Sequence, residues 1–272
     1  MLCAFMLGAC HRHDQSTASY TEKQVQYPDT SGVDDQSTVN KAKAGDPVAQ
    51  AKLGWMYSTG NSAPKDANKG IAWYTIAANN GDHNAQFNLA VIYDNGQGVP
   101  KDELKAAYWF RKSAEQGDRD AQYSIGSMYH QGAGVSKDHK KAVHWYQLAA
   151  EQGLPIAQFT LAVAYLKGDG IARDEKKAVY WYLKAADGGY VGAMEELSDL
   201  YNQGLGVKRD PVSAYQWLSL GLAKANPASP YTDQEAYSKG KIRREELAKK
   251  ITNSQRGQAD AWVQDWLATH SK

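Results

Sequence analysis

Apolar residues recur along most of the chain with the spacing of one face of an α-helix. The first such set, at intervals of three and four, is Ala49, Leu53, Met56 and Tyr57. Asp46 before this set is a favourable N-cap, and Gly60 after it is typical of a helix end. A second helix is predicted between Asp66 and Gly81, with its buried face around Trp73. The pattern therefore predicts a helix–turn–helix unit.

The same unit recurs five times with a period of 36 residues. Four positions keep one residue type in every unit. They are Gly45, Gly81, Gly117, Gly153 and Gly189; Tyr57, Tyr93, Tyr129, Tyr165 and Tyr201; Trp73, Trp109, Trp145, Trp181 and Trp217; and Asp66, Asp102, Asp138, Asp174 and Asp210. A fixed period of this length is typical of stacked repeats. Each helix is about 14 residues long and marginal by itself, so we expect burial between neighbouring units to stabilise the chain.

The segments outside the repeats differ from them in composition. Residues 10–40 are rich in Gln, Ser, Thr and Asp, and this stretch is predicted to be a disordered tether. Residues 226–230 contain two prolines that break any helix, and two further helices are predicted beyond them. The sequence thus predicts an all-α fold, an α/α solenoid of five repeats over 41–225 with a C-terminal helical cap over 226–272.

The first residues resemble a bacterial lipoprotein signal. The apolar run at 2–9 is too short to span a bilayer, which needs about 20 residues. Leu7-Gly8-Ala9-Cys10 is similar to a lipobox. The resemblance implies a signal peptide over 1–9, lipidation of Cys10 and attachment to a membrane, and His11 at the next position favours the outer membrane, facing the periplasm. The alternative is a cytoplasmic protein.

Charge and short motifs give no indication of nucleic-acid binding or catalysis. The formal net charge is +1, which offers no electrostatic case for nucleic acid. The sequence lacks His-Glu-x-x-His, Gly-x-Ser-x-Gly and a phosphate-binding glycine loop. His139 and His144 are five residues apart and so do not share a helical face as ligands would. We therefore predict no catalytic residue, no cofactor and no metal site.

Short motifs in the middle units resemble the Sel-one-like repeat (SLR) family, which is related to the tetratricopeptide repeats. The motifs are Gly-Asp-x-x-Ala-Gln, Leu-Gly-x-x-Tyr, Gly-x-Gly-Val and Lys-Ala-x-x-Trp-Tyr. Unit one departs from them at Ser62-Ala63, and unit five departs at Met194. The resemblance implies a right-handed superhelix whose concave wall is lined by the first helix of each unit. It also implies a role as an adaptor for protein complexes.

Candidate binding residues are the positions that vary between units on the exposed face of the first helices. They are Lys52, Trp55, Asn88, Ser124, Gln131, Thr160, Lys167, Glu196 and Asp199. The mixed polar residues among them suit hydrogen bonding to a peptide backbone, and they equally suit plain exposure to solvent. Trp55 is a large apolar residue at a variable position, so it is either a binding anchor or a residue covered by the tether or by the first turn of the stack. A further aromatic column, Phe87, Tyr123 and Phe159, is either a platform for a peptide or a packing element, and we favour packing.

These observations predict a non-catalytic, lipid-anchored scaffold of the bacterial cell envelope that binds a protein partner through the concave face. One rival hypothesis is an SLR enzyme acting on a β-lactam or a cell-wall substrate. The related cysteine-rich SLR proteins carry paired cysteines in every repeat, and this chain has none there, since its two cysteines are Cys3 and Cys10. A second rival keeps the binding role but places the protein in the cytoplasm or in a host.

Overall fold

The computed structural model describes residues 27–225 and 234–270, and these residues form thirteen α-helices and no strand. The predicted signal peptide, Cys10 and the predicted break at 226–230 lie outside the described residues. No helix within the described part combines the length and apolar character needed to cross a membrane.

Ten of the helices pair into five repeats, each with a first and a second helix. The first helices are α2 (Pro47–Thr59), α4 (His83–Asn95), α6 (Arg119–Gln131), α8 (Pro155–Lys167) and α10 (Val191–Gln203). The second helices are α3 (Ala67–Asn79), α5 (Glu103–Glu115), α7 (His139–Glu151), α9 (Glu175–Asp187) and α11 (Pro211–Lys224). Each helix packs mainly on its two neighbours in the chain. The fold is thus the predicted α/α solenoid.

The recurring aspartate and tyrosine positions meet at the turn inside each repeat. The backbone N–H of Asp66 donates to the carbonyl of Tyr57 at 2.8 Å, and the Asp66 carboxylate accepts from the N–H of Lys69. The Asp-to-Tyr backbone bond recurs in the other four repeats at 2.8–2.9 Å. The aspartate column therefore caps the second helix and also ties it to the end of the first helix.

A glutamine on the first helix joins four of the repeats to the helix before. The side-chain amide of Gln86 donates to the carbonyl of Ala78 at 3.0 Å. Gln116 in turn donates to the Gln86 side-chain oxygen at 2.8 Å. Equivalent amide-to-carbonyl bonds are made by Gln50, Gln122 and Gln158. The fifth repeat has Met194 at this position, which is fully buried instead.

The tryptophan column is only partly the core that the sequence predicts. Trp73 is 0% exposed because Tyr27 stacks on it at 5.5 Å, and Trp217 is 8% exposed and contacts Trp262 of the C-terminal cap. The tryptophans of the three middle repeats, Trp109, Trp145 and Trp181, are half-buried. The deeper aromatic column is its neighbour, Tyr74, Phe110, Tyr146 and Tyr182. The terminal segments thus bury the tryptophans that the ends of the stack would otherwise expose.

The prediction of a disordered tether is wrong for residues 27–40. Helix α1 (Gln36–Lys43) begins within this stretch, and Asp35 caps it. Val33 is 3% exposed and belongs to the same core cluster as Leu53 of the first repeat. Local polarity misled the prediction, because the few apolar side chains here are buried by contacts with the first repeat. Residues 10–26 of the predicted tether lie outside the described residues.

Two helices close the other end of the stack. They are α12 (Gln234–Ala248) and α13 (Asn253–Thr269), and both pack on α11. The hydroxyl of Tyr215 donates to the carboxylate of Asp260 at 2.9 Å, while Leu247 and Val263 are buried. These helices shield the apolar face that the last repeat would otherwise leave open.

Candidate functional site

The nine predicted binding residues all lie on the first helices, and none of them is fully buried. We call this surface the first-helix face. Lys52, Trp55, Gln131 and Lys167 are exposed, while Asn88, Ser124, Thr160, Glu196 and Asp199 are half-buried. The structure therefore places the predicted residues on one series of stacked helices, as the repeat register requires.

Contacts within the chain occupy both ends of the first-helix face. The Lys52 Nζ lies 2.7 Å from Oδ2 of Asp35, the cap of α1. At the other end, the Arg243 guanidinium of α12 pairs with the Asp199 carboxylate. Lys52 and Asp199 thus contact the segments that flank the two ends of the stack. The rest of the first-helix face lies between these two contacts.

The acidic end of the first-helix face is partly desolvated. Burial raises the pKa of Glu196, and the carboxylates of Asp199 and Glu195 raise it further. Arg243 and Lys167 oppose the shift by lowering the pKa of Glu196. Burial also raises the pKa of Glu195. This end of the face therefore carries two partly desolvated carboxyl groups with raised pKa values.

Several polar side chains of the first-helix face bond within their own helix. The hydroxyls of Ser124 and Thr160 donate to the carbonyls of Asp120 and Ile156, each at 2.8 Å. Both are the usual bond of a helical Ser or Thr to the preceding turn. These hydroxyls can still accept a hydrogen bond through their oxygen lone pairs.

The aromatic column Phe87, Tyr123 and Phe159 is a packing element. Each ring contacts the aromatic residue on the second helix of its own repeat, with ring centroids 5.6 Å apart in all three cases. Phe159 also contacts Tyr190 at 4.8 Å. The favoured packing hypothesis is consistent with these contacts, although they lie within a repeat rather than between repeats.

Two notches open beside the first helices, at equivalent repeat junctions two units apart. The first notch has a volume of about 400 Å³, is lined by Trp55, Ile71, Asn88 and Val91, and lies between the first and second repeats. The second notch has a volume of about 190 Å³ and lies between the third and fourth repeats. Its lining residues Val143, Thr160 and Val163 stand 72 positions after Ile71, Asn88 and Val91.

The second notch brings together three side chains with potential metal-ligating atoms, a group that the sequence did not predict. His130, His139 and Asp169 bring one potential ligand atom each to within 4.8 Å of one another. His139 has only His144 as a second histidine along its own helix, whereas its neighbours His130 and Asp169 come from other elements. The three residues occupy different positions of the 36-residue unit, so the repeat pattern gives no signal that they meet.

The fold and this face define the chain as an α/α solenoid repeat protein. The family model described as "Sel1 repeat" matches residues 47–82, 83–118, 119–154, 155–190 and 191–226. The chain belongs to the Sel1 repeat family. No curated protein sequence matches it significantly.

Two solved structures are similar to this chain at 32% identity. A Sel1 repeat protein from Oxalobacter formigenes has a TM-score of 0.66, and the match covers 70% of this chain and 80% of that protein. The second, c5321, is described as a protective antigen of uropathogenic Escherichia coli with an SLR fold. It has a TM-score of 0.55, and the match covers 86% of this chain but only 56% of c5321.

Proposed function

We propose that this protein is a non-catalytic scaffold of the bacterial cell envelope that binds a protein partner through the first-helix face. A lipid on Cys10 anchors it in the outer membrane, facing the periplasm, and it binds no nucleic acid. Sel1 repeat proteins are generally protein-interaction scaffolds, which supports the binding role. The support for the anchor is the lipobox-like Leu7-Gly8-Ala9-Cys10.

The observation that carries the binding proposal is Trp55 at the first notch. Its side chain is 45% exposed and borders the cavity of about 400 Å³. Ile71 and Val91 supply apolar walls, and Asn88 supplies an amide donor and acceptor at the rim. An extended peptide segment fits this arrangement, with one apolar side chain in the notch and its backbone on Asn88. Rigid aromatic residues beside such a pocket are the usual binding anchors.

Site-specific photocrosslinking in cells tests the binding surface. A photoreactive amino acid at Asn88 should give one discrete crosslinked protein, and Trp55→Ala should abolish the product. Leu104, which is 73% exposed on α5, is the control position outside the first-helix face. Equal crosslinking from Asn88 and Leu104, or a product that Trp55→Ala leaves unchanged, contradicts the proposal.

Membrane fractionation and intact-mass analysis test the anchor. The native protein should be membrane-bound, begin at Cys10 and carry the mass of its acyl chains, whereas Cys10→Ser should lose all three properties. Cys3→Ser is the matched control and should behave as the native protein. A soluble native protein that retains residues 1–9 contradicts the anchor and leaves the binding test unaffected.

The absence of catalysis is tested with the purified protein. We expect no hydrolysis of nitrocefin above the buffer rate and no release of soluble fragments from purified peptidoglycan. Turnover that scales with protein concentration and survives a second purification step would establish the rival enzymatic hypothesis.

A further inference from the structure

Two imidazoles and a carboxylate converge at the junction of the third and fourth repeats. His130 lies near the end of α6, His139 begins α7, and Asp169 lies in the turn that follows α8. The Nδ1 of His139 is 2.6 Å from Oδ1 of Asp169, and the Nδ1 of His130 is 3.7 Å from Oδ2 of the same carboxylate. The two imidazole rings meet edge to face, with centroids 4.7 Å apart. Asp169 thus links both histidines.

The solenoid backbone itself brings these elements together. Gly170 follows Asp169 at φ +71°, and a Cβ at this position would clash with the backbone carbonyl of His139. The turn of the fourth repeat therefore lies directly against the start of α7. Gly134 and Gly206 make the same close approach to the preceding repeat at their junctions. The placement of the backbone is thus a property of the repeat, whereas the side chains are particular to this junction.

The other junctions do not carry the same three side chains. The residues at the equivalent positions are Ser58, Ala67 and Gln97 at the first junction, Asp94, Glu103 and Ala133 at the second, and Leu166, Glu175 and Leu205 at the fourth. The fold is compatible with apolar, amide and acidic residues at these positions. Packing therefore does not explain why two histidines and an aspartate occupy the third junction.

The surrounding side chains do not satisfy the hydrogen-bonding capacity of the His139 ring. Its Nδ1 atom is buried and has no hydrogen-bond partner, since the close contact with Asp169 lacks hydrogen-bond geometry. A buried polar atom without a partner costs about 1–3 kcal/mol. An unprotonated Nδ1 this close to a carboxylate oxygen would also be repelled by it. A cation coordinated by both atoms would remove both penalties.

We propose that His130, His139 and Asp169 bind one divalent transition-metal ion of the Zn²⁺ class, which links the third and fourth repeats. Two imidazoles favour Zn²⁺, Ni²⁺ or Cu²⁺ over Mg²⁺ and Ca²⁺, which prefer oxygen ligands. Zn²⁺ holds nitrogen and oxygen ligands at about 2.0–2.2 Å. The ligand atoms, all within 4.8 Å of each other, reach that geometry by small rotations of side chains, and His130 is exposed enough to rotate.

The rest of the second notch determines what else the ion meets. Tyr146, Thr160 and Lys167 line the notch beside the three ligands. Three protein ligands leave open coordination positions on the ion, which water or a side chain of a partner fills. The Lys167 ammonium has the same sign of charge as the ion and weakens its binding. The proposal does not depend on the proposed partner.

Titration of the metal-free full chain with Zn²⁺ tests the proposal. Isothermal titration calorimetry on untagged protein should show saturable binding of one ion at this site, and Co²⁺ should give the visible absorption of a low-symmetry N/O site. His139→Ala and Asp169→Asn should each weaken binding by at least about tenfold. Lys167→Gln should strengthen it. Mg²⁺ and Ca²⁺ should not compete.

Matched variants keep the result interpretable. His144→Ala removes an exposed histidine of the same helix and should leave the affinity unchanged. A chain with His11→Ala and His13→Ala should also retain the site. Circular dichroism of metal-free His139→Ala checks that the fold is intact. Absence of saturable Zn²⁺ binding, or binding that depends on His11 and His13 rather than His139, overturns the proposal.

Discussion

The hydroxyl of Tyr57 donates a hydrogen bond of 2.9 Å to the backbone carbonyl of Asp29, which joins the first repeat to the segment before it. Asp29 also accepts from Lys69, whose ammonium lies 5.4 Å from the centroid of the Tyr57 ring. The first member of the tyrosine column therefore has a second role at the end of the stack. Residues 27–35 act as an N-terminal cap in the same way that α12 and α13 cap the other end.

Tyr57→Phe should destabilise the protein by about 1 kcal/mol, because the variant loses this hydrogen bond and leaves the Asp29 carbonyl without its donor. Urea unfolding followed by circular dichroism measures the difference in the free energy of unfolding. The control is Tyr93→Phe at the equivalent position of the second repeat, where the described structure shows no such bond. Equal effects of the two substitutions would show that the N-terminal segment does not stabilise the stack.

Gly134→Ala should be far more destabilising than Gly153→Ala. Both glycines have positive φ, so each substitution costs about 1 kcal/mol in backbone strain. Only at Gly134 would the new Cβ also clash with the carbonyl of Glu103, whereas Gly153 has no atom within 4 Å of that position. The clash should add at least about 2 kcal/mol. Urea midpoints that are equal for the two variants would contradict the close approach between repeats.

Gln122→Met should destabilise the protein by about 1–3 kcal/mol, since it removes two hydrogen bonds made by the glutamine that joins the third repeat to the helix before. The amide of Gln122 donates to the Ala114 carbonyl, and its oxygen accepts from Gln152 at 2.8 Å. Methionine fits the position in shape, because Met194 holds it in the fifth repeat. Gln147→Met on the exposed side of α7 is the control and should be close to neutral. An unchanged free energy of unfolding for Gln122→Met would mean that these glutamine hydrogen bonds add no stability.

Stability should fall as pH rises above 10. Burial raises the pKa of Tyr74 and Tyr146 to about 12, from the usual 10.0. Between these two values the unfolded chain loses phenolic protons that the folded chain keeps, so unfolding becomes more favourable. Tyr146→Phe should make the alkaline loss shallower, and Phe110 shows that the column accepts phenylalanine. Urea unfolding at several pH values measures this, with exposed Tyr180→Phe as the control. Identical slopes for the two variants would contradict the assignment.

Local patterns in the sequence were sufficient for the repeat itself. Asp66, Gly60 and the Tyr57 column lie within a few turns of one another, so short-range capping and helical periodicity determine their positions. The same patterns failed for residues 27–40. Those residues are polar on average, and the contacts that order them, Val33 with the first repeat core and Asp29 with Tyr57, come from residues further along the chain.

The candidate site also has a part that the sequence predicted and a part that only the structure shows. Variation between units picked out Trp55 and Asn88, and the structure adds that both border one notch. Patterns in the sequence offered no reason to group His130, His139 and Asp169. The separations of 9 and 30 residues between them do not correspond to neighbouring positions on one helix.

The sequence by itself determined that the chain is a stack of five helix pairs, because a 36-residue period repeats the same caps, turns and buried faces in every unit. Only the tertiary structure decided which tryptophans are buried, since Tyr27 and Trp262 cover those at the ends. It also decided which variable side chains meet. Contacts across a repeat junction depend on how closely two backbones approach, and that distance is set by the packing of neighbouring units.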